Sequence, residues 1–431
     1  MVRKRIKAPA PFLVALNLTQ RCNLACRHCY LDAGTKEDGG ADELTTGEVT
    51  KLIDEIADLS DETMVVLTGG EPLLRPDIMA IAGHASGRGL MTVMGTNGMG
   101  LTRKRAEALL AAGVRAVGIS VDSLRPAYHD GFRGLAGAWE KTMAGLDACR
   151  AAGLMFQVHF SVTDDNAHEL DDMISFCREA GAAVLNVFFM VCTGRGERYS
   201  GISPATYDRV LRQVAEAARD EHSLMVRARC APHFKRIAME MTPPLNITLA
   251  DGYEAGGCIA ASRYARVTPE GEVTPCPYME KSAGSLRQQS FARIWREAPL
   301  LNELRAPQLE GRCGACEFSR LCGGCRARPL ARDGNMMGED FLCRYEPGGG
   351  GVIEPMPVGG AVLPWTGEAR ERLQRVPAFV RRFVRRRAED HVRATGGRQV
   401  TAAVLDELAR RRFGRALPGR PRRPGSGMES G

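Results

Sequence analysis

The hydrophobic and polar positions of the first half alternate between two periods. Short apolar runs at Phe12–Leu18, Met64–Leu67, Met91–Met94, Val114–Ser120, Met155–Val162 and Val184–Met190 predict six strands. Stretches with helical spacing lie between them. Thr45 and Glu48 form a capping box ahead of a helix at Thr46–Leu59. Further helices are predicted at Asp77–Arg88, Arg103–Ala112, near Ala138–Ala152, near His168–Ala180 and at Pro204–Arg219. Repeated strand–helix units imply parallel strands joined by right-handed crossovers. Six such units predict an α/β fold, a partial (β/α)6 TIM-like barrel over residues 1–222. Chemistry in such a fold sits at the carboxyl ends of the strands.

That alternation stops in the second half. Residues 223–346 are rich in cysteine and read as a second domain. Pro347 and the four glycines Gly348–Gly351 open a linker over residues 347–363. Beyond it, Arg375–Arg387 carries Val376, Phe379, Val380, Phe383 and Val384 at i, i+3, i+4, i+7 and i+8, with arginines opposite. Thr401 caps a second helix, Val400 is placed to staple against Leu405, and Gly414 stops it. Two amphipathic helices thus predict a small module at 364–417. Residues 418–431 read as disordered.

Composition adds three points. With 431 residues, 44% apolar and 25% charged, the chain has the makeup of a globular protein with room for two or three domains. The net charge of +7 is uneven: Pro364–Gly431 holds 17 Arg and 7 Asp+Glu, or +10, which leaves −3 for the rest. A basic tail suits nucleic acid, an acidic partner or a membrane surface. Finally, no signal-like or membrane-spanning run is present, and fourteen cysteines in such a chain argue for metal ligation in a reducing, cytoplasmic setting.

The cysteines are patterned. Cys22-Asn23-Leu24-Ala25-Cys26-Arg27-His28-Cys29-Tyr30 follows the first strand and spaces three thiols C-x3-C-x2-C. Such thiolates suit an iron–sulfur cluster; three ligands leave one iron open, as catalysis requires. A zinc knuckle or incidental buried thiols are the alternatives. The stretch resembles the cluster loop of the radical S-adenosylmethionine (SAM) enzymes, C-x3-C-x-φ-C, with His28 where an aromatic residue is frequent. The resemblance implies a 4Fe-4S cluster on Cys22, Cys26 and Cys29. Its open iron would bind SAM and its electron would release a 5′-deoxyadenosyl radical.

The strand ends carry matching motifs. Thr68-Gly69-Gly70-Glu71-Pro72 is similar to the family's G-G-E-P segment, which holds the SAM amino group, with Glu71 the nearest carboxylate. Read alone, it is a glycine turn that lets a backbone approach a ligand. Thr96-Asn97-Gly98 resembles the T-N-G segment after strand three. Ser120 and Asp122 end strand four, where relatives reach the SAM ribose or carboxylate; a helix or turn cap is the plain alternative. Gly69, Gly70, Glu71, Pro72, Asn97, Ser120 and Asp122 are therefore the SAM-binding candidates. Arg133 could pair with a carboxylate or stay solvated. Arg195 and Arg198 after strand six, with Arg227 and Arg229 further on, suit substrate carboxylates. No catalytic acid or base stands out.

Cys258, Cys276, Cys313, Cys316, Cys322, Cys325 and Cys343 look like the SPASM extension of radical SAM enzymes, which binds one or two auxiliary iron–sulfur clusters. A zinc ribbon is the alternative. Cys322-Gly323-Gly324-Cys325 replaces the commoner C-x3-C, and no cysteine stands near Tyr264. The family pairing would put Cys313, Cys316, Cys322 and Cys343 on one cluster. Cys258, Cys276 and Cys325 would keep an open or non-cysteine fourth position, which Cys230 could fill. The runs Thr268–Tyr278 and Cys322–Arg328 resemble the branch that trims tetrapyrrole side chains in haem and haem d1 biosynthesis. Trp365–Phe413 resembles the small C-terminal domain of light-independent protochlorophyllide reductase. These resemblances imply a tetrapyrrole substrate and an electron donor such as a ferredoxin or flavodoxin. A peptide maturase is the second expectation. A nucleic-acid-binding regulator is the third, and the glycine loop and barrel pattern speak against it.

Overall fold

The computed structural model describes residues 8–34, 42–198, 201–221, 223–242, 245, 257–354, 363–376 and 378–413. The chain forms two compact units, Met1–Val358 and Gly359–Gly431. The first is built on a ten-stranded sheet: β1 (Leu13–Asn17), β2 (Met64–Thr68), β3 (Met91–Thr96), β4 (Ala116–Ser120), β5 (Phe156–Val162), β6 (Val184–Phe189), β7 (Met225–Arg229), β8 (Tyr264–Val267), β9 (Glu272–Thr274) and β10 (Gly284–Ser285). The order is β10-β9-β8-β1-β2-β3-β4-β5-β6-β7. Strands β1 to β7 pair in parallel succession, β8 is parallel to β1, and β9 and β10 are antiparallel. The expected partial barrel is present and longer than six strands. Strand β7 lies past the boundary expected at residue 222, and β8 joins the cysteine-rich segment to the barrel's first edge.

Alternation along each strand decides which face holds the core. Val14, Leu16, Val65, Leu67, Val117, Ile119, Val158, Phe160, Leu185 and Val187 are buried. Each contributes roughly 1.5–3 kcal/mol by leaving water. The intervening positions share the other face, and Asn17, Thr68, Gly95, Gly118, Ser120, His159 and Asn186 make much of it polar or small. A Cβ on Gly95 would lie 3.1 Å from Thr68 Oγ1, and one on Gly118 would lie 2.3 Å from His159 Cε1. The His159 and Phe188 rings are 5.1 Å apart. Arg229 Nε donates to Asn186 Oδ1 at 2.8 Å.

The capping box is present: Glu48 N donates to Thr45 Oγ1 at 3.3 Å and Thr45 N to Glu48 Oε2 at 2.8 Å. Within residues 1–222, one α-helix, Pro126–Arg133, stands outside the expected set. Its signals were in the sequence, with Pro126 at the first turn and Gly134 as a left-handed stop. The start of the expected linker is held to the first unit. Glu317 Oε1 accepts from the Tyr345 hydroxyl at 2.5 Å and Gly348 N at 3.1 Å, and Ile353 N donates to the Glu317 carbonyl at 2.7 Å.

Among the described residues, the second unit has three helices, Gly367–Gln374, Ala378–Ala394 and Ala402–Phe413, where two were expected. Thr366 caps the first by accepting from Ala369 N. Pro377 stands where the predicted helix was to run through. Ala369, Ala388, Val392, Val400 and Leu405 form its core, so Val400 and Leu405 do meet in one cluster. The side chains of Phe379, Val380 and Phe383, and Gly414, lie outside the described residues. Among the described residues, no helix is long and apolar enough to cross a membrane.

Candidate functional site

The loop bearing Cys22, Cys26 and Cys29 leaves the carboxyl end of β1 and is sewn to four neighbouring strand ends. From β2, Gly70 N donates to Thr19 O at 2.7 Å and Glu71 N to Arg21 O at 2.9 Å. A Cβ on Gly70 would sit 2.2 Å from Arg21 O, and one on Gly69 2.6 Å from Thr19 O. These glycines let the loop's own backbone approach. From β3, Asn97 Nδ2 donates to Asn23 Oδ1 at 2.7 Å. After β4, Ala25 N and Arg27 N donate to the Arg133 and Phe132 carbonyls. Gly134, at φ +73, would place a Cβ 2.6 Å from Ala25 O. After β6, Arg195 N donates to Cys29 O at 3.0 Å.

Glu71 is buried and joins two motifs. Its carboxylate accepts from Thr96 Oγ1 and Asn97 N, both at 2.8 Å, and from Leu73 N at 3.1 Å. Burial raises its pKa, against those three donors. Asp122 is fully buried behind the loop. One oxygen accepts from Ser161 N at 3.0 Å and the other pairs with Arg133 Nη2 at 2.5 Å. Burial opposes its charge, yet Arg133 keeps the carboxyl below its usual range. This carboxylate is engaged by the protein itself, through Ser161 N and Arg133. Ser120 is half-buried on the concave face.

Arg133 is buried, not solvated, and its Nη1 lies 3.6 Å from Cys26 Sγ. Arg195 is also occupied by the loop: Nε donates to Cys26 O at 3.0 Å and Nη1 to Asp32 Oδ1 at 2.7 Å. Arg227 and Arg229 lie on β7 with side chains on the concave face, while the Arg198 side chain is outside the described residues. His28, at the family's aromatic position, stacks on Phe132 with centroids 4.3 Å apart. Burial, then Arg133, pushes its pKa down to about 4. A neutral imidazole thus fills an aromatic's place. Tyr30 accepts from Asn17 Nδ2 at 3.0 Å and meets Tyr278 edge-on at 5.5 Å, linking the loop to the Cys276 segment.

The thiols have surroundings suited to metal. Burial pushes Cys22 up to about 12 and raises Cys26, where Arg133 pulls the other way. Buried thiolates this close repel one another and need a cation. At five cysteines the amide two residues on points at the sulfur: Leu24 at Cys22, Tyr278 at Cys276, Phe318 at Cys316, Gly324 at Cys322 and Tyr345 at Cys343. Such donors favour the anionic sulfur and tune a cluster's potential. Cys313, Cys316, Cys322 and Cys343 line one cavity with Arg236 and Asp340. Among the described residues, no three donors converge as around a single metal ion, where zinc would need sulfurs at about 2.3 Å.

Comparison with known proteins agrees with this geometry. Residues 16–177 match the Radical SAM superfamily, 258–317 the SPASM iron-sulfur cluster-binding domain, and 365–408 the Proto-chlorophyllide reductase 57 kD subunit. The AdoMet-dependent heme synthase of Methanosarcina barkeri is 39% identical over 345 residues, covering 79% of this chain and 98% of that protein. The pre-heme d1 synthase of Dinoroseobacter shibae is 32% identical over 353 residues, covering 78% and 86%. The crystal structure of Streptococcus suis SuiB bound to S-adenosylmethionine has a TM-score of 0.64 at 17% identity over 78% of each chain, a likeness of fold. The chain therefore belongs to the radical SAM superfamily and is an enzyme that uses S-adenosylmethionine and iron–sulfur clusters, the latter in part through a SPASM domain.

Proposed function

We propose that this enzyme modifies a tetrapyrrole side chain, removing carbon dioxide from a propionate of an iron porphyrin. What carries the reading is the match over 98% of the Methanosarcina barkeri heme synthase. Cys22, Cys26 and Cys29 hold a 4Fe-4S cluster, and Gly69, Gly70, Glu71, Pro72, Asn97 and Ser120 form the SAM side of the site, with Asp122 supporting through Arg133. When bound, the cluster and SAM supply the radical that takes one hydrogen atom from the substrate. Loss of that hydrogen, carbon dioxide and one electron converts a propionate into a vinyl group. Cys313, Cys316, Cys322 and Cys343 would hold an auxiliary cluster able to take up that electron, and a cytoplasmic ferredoxin or flavodoxin would serve as donor to the enzyme.

The chain's own residues supply orientation. The concave face holds Ser120, His159, Phe188, Arg227 and Arg229, a floor polar enough for carboxylates with an aromatic wall. Burial, then Arg229, pushes His159 down to about 4, so it is neutral and leaves the positive charge to the arginines. Guanidinium groups bind carboxylates through paired donors.

The test is anaerobic. Reconstituted enzyme is mixed with SAM, dithionite and iron coproporphyrin. The expected products are 5′-deoxyadenosine and a porphyrin lighter by carbon dioxide and two hydrogens. Deoxyadenosine with an unchanged porphyrin would remove the tetrapyrrole reading and turn attention to peptides.

A further inference from the structure

Arg266 stands on β8 with its side chain inside the barrel. Its neighbours along the strand, Ala265 and Val267, belong to the core, as do Val14 and Leu16 on the adjoining β1. Alternation therefore turns Arg266 to the concave face, which it shares with Asn17. The residue is only 5% exposed. Its Nη1 donates to Pro277 O at 2.7 Å, and its guanidinium lies 5.9 Å from the centre of the Tyr30 ring. Its Nε is buried without a hydrogen-bond partner, and among the described residues no carboxylate pairs with it.

The other buried arginines show how unusual this is. Arg75, Arg133, Arg236 and Arg328 each meet a carboxylate, from Asp77, Asp122, Glu240 and Asp340. Arg326 is ringed by the carbonyls of Gly323, Gly324, Met336 and Gly338. A buried cation is costly unless an anion or a full set of acceptors meets it. Arg266 has one carbonyl and the face of a ring. Once Nη1 is given to Pro277, the edge of the fork made by Nε and Nη2 remains, and that edge fits a carboxylate through two parallel hydrogen bonds. Tyr30 and Pro277, which touch Arg266, and the nearby Tyr278 are partly exposed, so space remains beside it.

The sheet order adds a second argument. Strand β8 ends the run of parallel strands on one side and β7 ends it on the other. Arg227 and Arg229 project from β7 onto the same concave face. Positive charge thus enters the barrel from both margins of the sheet. A coproporphyrin is a rigid disc with a propionate on every pyrrole ring, and cations at separate places around the lumen match carboxylates spread around such a rim.

We propose that Arg266 anchors one propionate carboxylate of the substrate inside the barrel, from the margin opposite Arg227 and Arg229. The inference rests on the tetrapyrrole reading and deepens it. The carboxylate supplies the anion that the buried guanidinium lacks.

The test titrates reconstituted full-length enzyme anaerobically with iron coproporphyrin, without SAM or reductant, and reads binding from the shift of the porphyrin absorption band. Arg266→Met keeps the length of the side chain and removes its charge; it should weaken binding by about tenfold or more. Arg266→Lys should lie between the two. The tetramethyl ester of the same porphyrin should bind equally to the parent and to the Arg266→Met protein. Iron, sulfide and the EPR spectrum should match the parent's, and Arg266→Met without porphyrin should melt no lower than the parent, since it removes an unpaired buried charge. Equal affinity of the parent and the Arg266→Met protein for iron coproporphyrin would overturn the anchor alone. Loss of iron or a lower melting temperature would give Arg266 a structural part beside Cys276 and overturn it as well. A parent enzyme that binds no iron coproporphyrin would remove the tetrapyrrole reading, and the anchor with it.

Discussion

The Arg133 guanidinium lies 3.6 Å from Cys26 Sγ while pairing with the buried Asp122 carboxylate at 2.5 Å. A positive charge at the end of the helix Pro126–Arg133 is thus held beside one thiol of the loop by a partner just after β4. Removing one member of such a buried pair strands the other charge. Arg133→Met should destabilise the cluster-free protein by about 3–5 kcal/mol, and Asp122→Asn added to it should restore most of that. Urea unfolding of the two variants checks both halves.

The tight approach of Gly70 to Arg21 makes a sharp contrast with Gly83, around which nothing lies within 4 Å. Gly70→Ala should displace the loop, remove about four irons, those of the loop's own cluster, and lower deoxyadenosine formation more than tenfold. Gly83→Ala, in the middle of a helix, should leave activity unchanged and stabilise by about 1 kcal/mol. Iron analysis and the SAM cleavage assay separate them.

Two histidines of the barrel are held neutral. Burial, then Arg133, pushes His129 down to about 4, and its Nδ1 accepts the Asp122 amide at 3.3 Å. His159 is likewise pushed to about 4. With unfolded values near 6.5, the unfolded chain binds more protons between pH 4 and 6.5. Their contribution is therefore complete above about pH 6.5 and is lost as pH falls towards 4, by about 1.4 kcal/mol per unit for each. His159→Gln should lower the slope of unfolding free energy against pH by about that amount in this window, measured on cluster-free protein.

Glu317 ties residues 345–353 to the cysteine-rich segment through three hydrogen bonds, two of them to its side chain. Glu317→Ala should speed limited proteolysis after Tyr345 severalfold while leaving the iron content unchanged. Loss of iron instead would mean that this strap also shapes the adjoining cavity.

The second unit has its own small core. A chain ending at Val358 should keep the iron content and deoxyadenosine yield of the full protein, as anaerobic reconstitution would reveal.

The sequence by itself determined the barrel, because strand and helix periods and capping boxes are local signals. It also determined the cysteine sets, since a thiol spacing is written in the chain. The helix ending at Gly134 is legible in its glycine. Only the tertiary structure decided what the polar residues touch. Arg195 donates to the Cys26 carbonyl of the cysteine loop, and Asp122 pairs with the arginine beside Cys26. Gly69 and Gly70 admit a neighbouring backbone. The physical reason is shared: these contacts join residues far apart in the chain, and burial chooses which of several possible partners a charge or a glycine meets.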